Sequence, residues 1–261
     1  MTSHDVVDRV RRRLPKGTKV GHLATLDPPA SGVLPLAVGW ATKLIPCLPE
    51  AEKAYLAEVL FGWRSDTLDA AGQMVQGSEP PADLQHRLLP LLQQYQGTVM
   101  QVPPRVSALR QDGQRSYDRA RKGEDFELPA RAAYYDEVRW VRGQPQRAVL
   151  RIRCGPGTYV RSLARDLGES LGCGAVLQFL LRLQSGFFCL DDARCLEELA
   201  DPTQHLVPWD WPWRQQSPRP LDSWPPPNLE REFSGLARHP KGAALYRDGQ
   251  KIWSREGIDG P

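Results

Sequence analysis

Apolar residues recur at helical spacing in three stretches of the chain. The first begins directly after Thr2, a residue type that caps helices, and Asp5 stands three residues later, as in a capping box. Leucines lie on one helical face over residues 82–95, and residues 160–171 repeat the pattern up to Gly172, which favours a helix end. The sequence therefore predicts a helix in each stretch.

Strand-like patterns lie between these helices. Residues 53–62 alternate apolar side chains with polar or smaller ones, which is the period of a half-buried strand. Further strands are predicted over residues 99–102, 138–141 and 148–154. Long excursions between strands, with interspersed helices, predict an α+β domain built around a mixed sheet.

The composition changes after about Pro208. Tryptophan and proline are frequent in the stretch that follows, a pattern typical of a linker or a wrapped tail. Residues 234–261 are expected to form one or two hairpins around Arg247-Asp248-Gly249. We therefore divide the chain into a main domain, residues 1–208, and a Pro- and Trp-rich segment, residues 209–261, for which a disordered tail is the alternative.

The net charge of +3, from 34 Lys and Arg against 31 Asp and Glu, is too small to imply an acidic partner. The distribution of the cations is more informative, because they form two runs. The first run is Arg9, Arg11, Arg12, Arg13, Lys16 and Lys19, and the second is Arg105, Arg110, Arg115, Arg119, Arg121 and Lys122. Either run can be an ordinary solvated face, but two runs flanking a candidate active loop favour contacts with RNA phosphates.

The five cysteines are widely spread and form no C-x-x-C pair. Their odd number and spacing argue against a disulfide framework and against a zinc site, so no metal is expected. The sequence also shows no apolar run of membrane-spanning length and no apolar core of a signal peptide. These features predict a cytoplasmic protein with reduced thiols and no contact with a membrane.

The segment from His22 to Pro35 holds a single carboxylate, Asp27, among small and apolar residues. Pro28 follows at once, which moves Asp27 toward an extended or turn conformation and away from a helix. Apolar neighbours make an unpaired carboxylate costly and a paired one strongly oriented. Such a group needs a cation and can serve as a nucleophile or a base. The alternative is that Asp27 only organises an Asp-Pro turn.

This segment resembles the G-H-x-x-x-L-D-P-x-A-x-G-x-L-P block of bacterial tRNA pseudouridine synthases of the TruB type, whose Asp is catalytic. Further blocks of that family recur in the same order. They are Lys53-Ala-Tyr55, Arg64-Ser-Asp66-Thr-Leu-Asp69-Ala-Ala-Gly72, Val102-Pro-Pro-Arg-Val-Ser107-Ala-Leu-Arg110-Gln-Asp-Gly113, Ser116-Tyr117-Asp-Arg-Ala-Arg-Lys-Gly123, Gly157-Thr-Tyr159-Val-Arg161-Ser-Leu, Leu167-Gly168-Glu-Ser-Leu-Gly172-Cys-Gly174-Ala and Leu180-Leu-Arg182-Leu-Gln-Ser-Gly186-Phe. The agreement covers roughly residues 1–208, and ordered agreement over such a length is far more specific than one motif.

The resemblance implies the pseudouridine synthase fold, a mixed, largely antiparallel sheet flanked by helices, followed by a short, degenerate PUA-like tail. It also implies isomerisation of uridine to pseudouridine at position 55 in the T loop of tRNA. That reaction needs no cofactor, because it changes no redox state and uses no external group donor. The expected partner is the T stem-loop of tRNA, bound by a monomeric enzyme with no obligatory protein partner.

The resemblance assigns roles to individual residues. It implies that Asp27 is the catalytic carboxylate and that Arg161 pairs with it through parallel hydrogen bonds. Tyr55 is implied to stack on the flipped-out base, with its hydroxyl placed for proton transfer. The implied substrate-binding residues are His22, Lys53, Tyr159 and Leu180. From the residues alone the alternatives stay open: Arg161 can bind a phosphate, and Tyr55 and Leu180 can be core residues.

The chain also departs from the family pattern. In the family a strand with a Lys-Pro-x-Gly turn precedes the first helix. That strand is absent here, so either the true start lies upstream, which we favour, or the sheet lacks an edge element. Leu23-Ala24 replaces a usual Thr-Gly before the catalytic turn. Two rival functions follow: an RNA-binding or tRNA-folding factor without turnover, and a guide-RNA-directed pseudouridine synthase, which needs partner-binding extensions not seen here.

Overall fold

A computed structural model describes residues 1–48, 51–107, 109–111, 114–116, 119, 124, 126–208, 246–247 and 250–251. The chain forms two compact units. Unit 1 consists of residues 1–55 together with 181–261, and unit 2 consists of residues 56–180.

Helix α1, Ser3–Arg11, begins with the predicted capping box in unit 1. The backbone N–H of Asp5 donates to the Thr2 hydroxyl at 3.2 Å, and the N–H of Thr2 donates to a carboxylate oxygen of Asp5 at 2.7 Å. Val7 and Val10 bury the inner face of the helix. The helix predicted after Thr2 is therefore confirmed.

The two other predicted helices are also confirmed, and both lie in unit 2. They are α2, Leu84–Gln93, and α3, Val160–Ser170. The face that α2 buries carries Leu84, Leu88 and Leu92. Gly172 follows α3 with a φ of 72°, a left-handed conformation that glycine adopts without steric cost, so it ends the helix as predicted.

The strands of the chain, in order, are β1 Val20–His22, β2 Ser31–Gly32, β3 Leu36–Val38, β4 Lys53–Phe61, β5 Trp63–Ser65, β6 Met74–Gln76, β7 Gly97–Gln101, β8 Arg110–Gln111, β9 Gln114–Arg115, β10 Arg131–Gln144, β11 Arg147–Cys154, β12 Ala175–Ser185, β13 Phe188–Cys189, β14 Tyr246–Arg247 and β15 Gln250–Lys251. One seven-stranded sheet has the order β13-β12-β4-β11-β10-β7, with β2 beside β12. In it β10 pairs antiparallel with β11 and β7, β13 pairs antiparallel with β12, and β2 pairs parallel with β12. This mixed, mostly antiparallel sheet with its helices confirms the predicted α+β class.

Strand β4 lies where the sequence predicts a strand, but its burial differs from the prediction. Every residue from Ala54 to Phe61 is buried, so the strand is not half-exposed. The sheet supplies a neighbour on each side of β4, and side chains of both orientations are covered. Its one carboxylate, Glu58, accepts a hydrogen bond from the Arg147 guanidinium at 2.7 Å, which compensates a buried charge.

The segment that carries Asp27 connects two paired strands of unit 1, β1 and β3. Within it, β2 pairs with β12 so that Ser31 lies opposite Leu181 and Gly32 opposite Arg182. Gly32 has a φ of 103°, and a Cβ there would collide with the backbone carbonyl of Arg182. Glycine is therefore required at this position for both its backbone conformation and its lack of a side chain.

The expectation for residues 209–261 falls almost entirely outside the described residues. Within the described part, β14 pairs antiparallel with β15, Tyr246 opposite Lys251 and Arg247 opposite Gln250. This pairing agrees with the hairpin expected around Arg247-Asp248-Gly249. The PUA-like character of the segment, and the boundary at residue 208, stay predictions.

Two further features bear on function. Among the described residues, no helix combines the length and apolar character needed to cross a membrane. Over the same ranges, no group of three or more His, Cys, Asp or Glu side chains is arranged to hold a metal ion.

We predict that Gly32→Ala destabilises unit 1 more than Gly17→Ala does. Both glycines have positive φ, 103° and 90°, so both substitutions cost about 1–2 kcal/mol of backbone strain. An added Cβ at Gly17 meets nothing within 4 Å, whereas at Gly32 it collides with the Arg182 backbone. The clash should add about 1–3 kcal/mol. Urea denaturation followed by circular dichroism measures the difference, and equal losses would show that β2 yields without cost.

Candidate active site

Asp27 lies in a tight turn in unit 1. The backbone N–H of Ala30 donates to the Asp27 carbonyl at 2.9 Å, with Pro28 between them, so proline restricts the turn at its second position. The Asp27 side chain is half-buried. The turn places this carboxylate at the end of a rigid bend and in partial contact with solvent, where a substrate can reach it.

Arg182 is the buried cation of the same segment. It stands on β12, is 1% exposed, and donates through all three guanidinium nitrogens. Nε donates to the Val33 carbonyl at 2.7 Å, Nη1 to the Thr25 carbonyl at 2.9 Å and Nη2 to the Ala24 carbonyl at 3.2 Å. One planar group therefore joins both arms of the Asp27 loop and satisfies carbonyls that have no strand partner there.

Arg182 also interacts electrostatically with Asp27 and Tyr55. Burial lowers the pKa of its guanidinium, while the interaction with Tyr55, which includes a side-chain hydrogen bond, and the charge of Asp27 raise it. Arginine remains protonated in proteins in spite of such a decrease. A fixed positive charge therefore faces the Asp27 carboxylate and the Tyr55 hydroxyl together.

Tyr55 and Lys53 lie two residues apart on β4, so they point to the same face of the strand. Tyr55 is 7% exposed, and Lys53 is half-buried. The core alternative for Tyr55 matches its burial, but its hydroxyl is tied to Arg182, which places the phenol beside the Asp27 loop. Tyr55 is thus both a packed side chain and a member of the candidate site.

His22 ends β1 opposite Leu36 and is half-buried. Burial lowers the pKa of its imidazole, and the positive charges of His4 and Arg182 lower it further. Its Nδ1 is buried and has no hydrogen-bond partner among the described residues. A neutral imidazole with one nitrogen available suits hydrogen bonding to a bound nucleotide better than it suits a charge contact.

Arg161 lies in unit 2, where it contacts the loop after β5. Its Nη1 donates to the Thr67 carbonyl at 3.1 Å and lies 3.8 Å from Asp69 Oδ2. Asp69 Oδ1 in turn accepts from the Thr67 hydroxyl at 2.6 Å and from the Ala71 N–H at 3.0 Å. Arg161 and Asp69 are both buried, and together they hold the loop after β5. The phosphate-binding alternative does not match this buried setting.

The assignment of Arg161 as the partner of Asp27 stays a prediction, because the two residues lie in different units. The arginine that unit 1 itself supplies to Asp27 is Arg182, while Arg161 faces Asp69 in unit 2. Sequence reasoning did not select Arg182 as a site residue, although one signal points to it: Arg182 is the single charge in the apolar run Leu180-Leu-Arg182-Leu, and a charge inside a buried strand needs a specific partner.

The remaining predicted site residues, Tyr159 and Leu180, also lie in unit 2. Tyr159 is the N-cap residue of α3, and its backbone N–H donates to Gln101 Oε1 at 2.9 Å. Gln101 is buried and donates to the Tyr135 hydroxyl at 2.7 Å, so its side chain links the start of α3 to the sheet. Leu180 is 7% exposed on β12, as the core alternative expects.

Comparison with known proteins decides the family. Residues 11–160 match the family model described as TruB family pseudouridylate synthase, N-terminal domain, and residues 161–207 match the tRNA pseudouridylate synthase B C-terminal domain. The chain belongs to the TruB family of pseudouridylate synthases. The match at residues 161–207 starts within α3 and contains Arg161 and Arg182.

Curated relatives agree with this family. A tRNA pseudouridine synthase B of Moorella thermoacetica is 45% identical over 204 residues, which are 77% of this chain and 67% of the relative. Another, from Heliobacterium modesticaldum, is 38% identical over 258 residues, 97% of this chain and 81% of the relative. The predicted family and the isomerase class are therefore confirmed.

Solved structures agree on the fold. A chain of the crystal structure of a Cbf5-Nop10-Gar1 complex superposes with a TM-score of 0.58 at 27% identity over 78% of this chain. A chain of the archaeal box H/ACA sRNP Nop10-Cbf5 complex superposes with 0.55 at 25% identity over 82%. This chain spans about half the length of those chains, 51% and 52%.

We predict that Arg182→Lys lowers the free energy of unfolding by about 3 kcal/mol or more. A single ammonium cannot reach three carbonyls arranged around a planar guanidinium, so buried acceptors lose their donors. Arg12→Lys, at an exposed position, is the matched control and should be neutral. Urea denaturation of both variants measures the effect. A variant at position 182 as stable as wild type would mean that charge alone, without guanidinium geometry, suffices.

Proposed function

We propose that this protein isomerises uridine to pseudouridine at position 55 in the T loop of tRNA, with Asp27 as the reacting carboxylate. The observation that carries the proposal is the arrangement in unit 1: a partly accessible carboxylate on a rigid turn, facing the buried cation Arg182, with the Tyr55 hydroxyl on the same guanidinium. Family membership and the names of the relatives support the reaction type and the tRNA substrate.

The chemistry needs little more than one aimed carboxylate. The N-glycosidic bond of uridine breaks, the uracil turns, and a new bond forms from C5 to the sugar, so no atom is gained or lost. Asp27 can take part by covalent attack or by removal of a sugar proton, and both routes require the same placement. Arg182 supplies that placement through the loop backbone and through its charge.

Tyr55 is proposed to hold the flipped-out uracil. A uridine inside a folded loop must leave its stack before its ring can turn, and an aromatic face compensates the lost stacking by ~1–3 kcal/mol. The Tyr55 hydroxyl, tied to Arg182, is the group proposed for proton transfer at C5. We propose Arg161 as a further catalytic residue, and His22, Lys53, Tyr159 and Leu180 as the further substrate contacts.

RNA binding is proposed to use only part of the first basic run. Three of its arginines have protein partners: Arg11 pairs with Asp8 at 2.6 Å, Arg9 lies 3.9 Å from Glu197, and Arg13 donates to the Leu196 and Leu199 carbonyls. The other three members, Arg12, Lys16 and Lys19, are exposed. They border one surface depression beyond α1, where phosphates of the tRNA backbone can be neutralised.

The rival hypothesis is a tRNA-binding factor of the same fold without turnover. It shares the basic surface and the Tyr55 platform, and it differs only in the role of Asp27. The solved structures are titled as complexes of Cbf5 with Nop10, one of them also with Gar1, whereas the bacterial relatives are named tRNA pseudouridine synthase B. We propose a cytoplasmic monomer that needs no protein partner, and activity of the purified chain alone tests this.

We predict that Asp27→Asn abolishes pseudouridine formation while tRNA affinity changes by a few fold at most. The amide keeps the shape of the side chain but can neither attack nor accept a proton. Tritium release from C5-labelled tRNA measures turnover, and filter binding measures affinity. Asp83→Asn, an exposed carboxylate, is the control and should be fully active. Appreciable turnover by Asp27→Asn would remove Asp27 from the chemistry, and an inactive wild type that binds tRNA would favour the rival.

A second prediction concerns Arg12, Lys16 and Lys19. Replacing all three by Gln should weaken tRNA binding and reduce the slope of log K against log salt by about 1 for each phosphate that is no longer neutralised. The rate at saturating tRNA should be preserved, because these side chains lie on the outer surface. The matched control is Arg9→Gln with Arg13→Gln, which removes the same kind of charge from residues that have protein partners and lie outside the lining of the depression. Equal slopes for both variants would assign the depression to an ordinary solvated face.

A further inference from the structure

We propose that Ser3 is a positioning residue for Asp27, and that it holds the loop through the backbone of Leu26. The inference rests on the proposed function of Asp27. Ser3 lies in the first turn of α1, 23 residues before Leu26, and is 6% exposed. Its hydroxyl donates to the Leu26 carbonyl at 3.0 Å and accepts from the Leu26 N–H at 2.9 Å.

These two hydrogen bonds fix a whole residue. A serine hydroxyl has one donor and two acceptor positions, and here it uses both functions on one backbone unit. Leu26 directly precedes Asp27, so the peptide that carries the carboxylate starts from a fixed point. Without this fixed point, a small rotation of the Leu26 backbone would produce a larger displacement of the Asp27 carboxylate.

Ser3 is not used to cap the helix on which it stands. The N-cap role belongs to Thr2, whose hydroxyl accepts from the Asp5 N–H and whose own N–H donates to the Asp5 carboxylate. The Ser3 hydroxyl is turned away from that capping box and toward the loop. The two neighbouring hydroxyls therefore serve different elements, and this makes Thr2 a matched control for Ser3.

The other hydrogen bonds described for the loop involve residues on either side of Leu26, whereas Ser3 bonds to Leu26 itself. Arg182 holds the carbonyls of Ala24, Thr25 and Val33, and the turn hydrogen bond ties Ala30 to Asp27. A cavity of about 650 Å³ in unit 1 has Ser3, Leu26 and Asp27 in its lining, so the loop is not packed against a filled core on this side. Directional hydrogen bonds, more than close packing, then determine where Leu26 lies.

The test compares Ser3→Ala with Thr2→Ala in the full-length protein. Ser3→Ala should lower kcat on tRNA on the order of tenfold or more, with KM nearly unchanged, because misplacement of a reacting group by a fraction of an ångström slows the chemical step. Thr2→Ala should lower the melting temperature at least as much and leave kcat within about twofold. Ser3→Cys nearly keeps the size of the side chain but replaces the hydroxyl by a thiol that forms only weak hydrogen bonds. It should show the same loss of kcat, and it replaces Ser3→Ala in the test if the alanine variant fails to fold.

The rate of amide hydrogen exchange at Leu26 measures the hydrogen bond between its N–H and the Ser3 hydroxyl, and this measurement needs no substrate. Ser3→Ala and Ser3→Cys should speed exchange of the Leu26 N–H, and Thr2→Ala should not. Unchanged exchange, or faster exchange with unchanged kcat, would overturn the proposal. A kcat loss in Thr2→Ala equal to that in Ser3→Ala would also overturn it, since the effect would then follow from helix stability. An inactive wild type would instead refute the proposed function, and the exchange data would still show whether Ser3 holds the loop.

Discussion

The placement of the Asp27 loop depends on the buried guanidinium of Arg182. An irregular segment that enters a protein interior exposes backbone carbonyls that no strand neighbour can satisfy. Arg182 resolves this for Ala24, Thr25 and Val33 at once, and its planar donors fix the directions as well as the distances. The same charge faces Asp27 and Tyr55. One side chain, Arg182, thus both donates hydrogen bonds to the carbonyls of the loop and orients the Asp27 carboxylate by its charge.

Arg182 can serve the loop only because β2 lies close to β12. The parallel pairing sets Gly32 opposite Arg182, and the N–H of Val33 donates back to the Arg182 carbonyl at 2.9 Å. The arginine and the loop are therefore joined through both main chain and side chain. A side chain at position 32 would separate β2 from β12 and lengthen the hydrogen bonds that the Arg182 guanidinium donates to the loop. Gly32 thus helps to position Asp27, which lies five residues before it in the same block.

Local signals in the sequence predict three helices and four strands of the structure, but they miss β12 in the main sheet. Thr2 and Asp5 act on one another within a single turn, and Gly172 ends α3 through its own backbone, so neighbouring residues contain the information. The contact between Arg182 and the Asp27 loop is different, because it depends on the register between β2 and β12, strands about 150 residues apart. The apolar run around Arg182 indicates a buried charge, but only that register shows which loop it joins. Burial of both faces of β4 likewise depends on elements that are distant in the sequence, so the pattern of β4 alone does not predict it.

The cluster around Arg161 shows that residues of a recognised block also hold loop structure. Asp69 uses one oxygen to hold the Thr67 hydroxyl and the Ala71 N–H, and faces Arg161 with the other. Leu68, between them, has a φ of 63°, a conformation that costs a leucine energy and persists only when its neighbours enforce it. Loop residues 65–72 therefore need this aspartate–arginine pair for their shape. Residues of a family block can therefore hold a strained loop in place, and Arg161 takes part in this through Asp69.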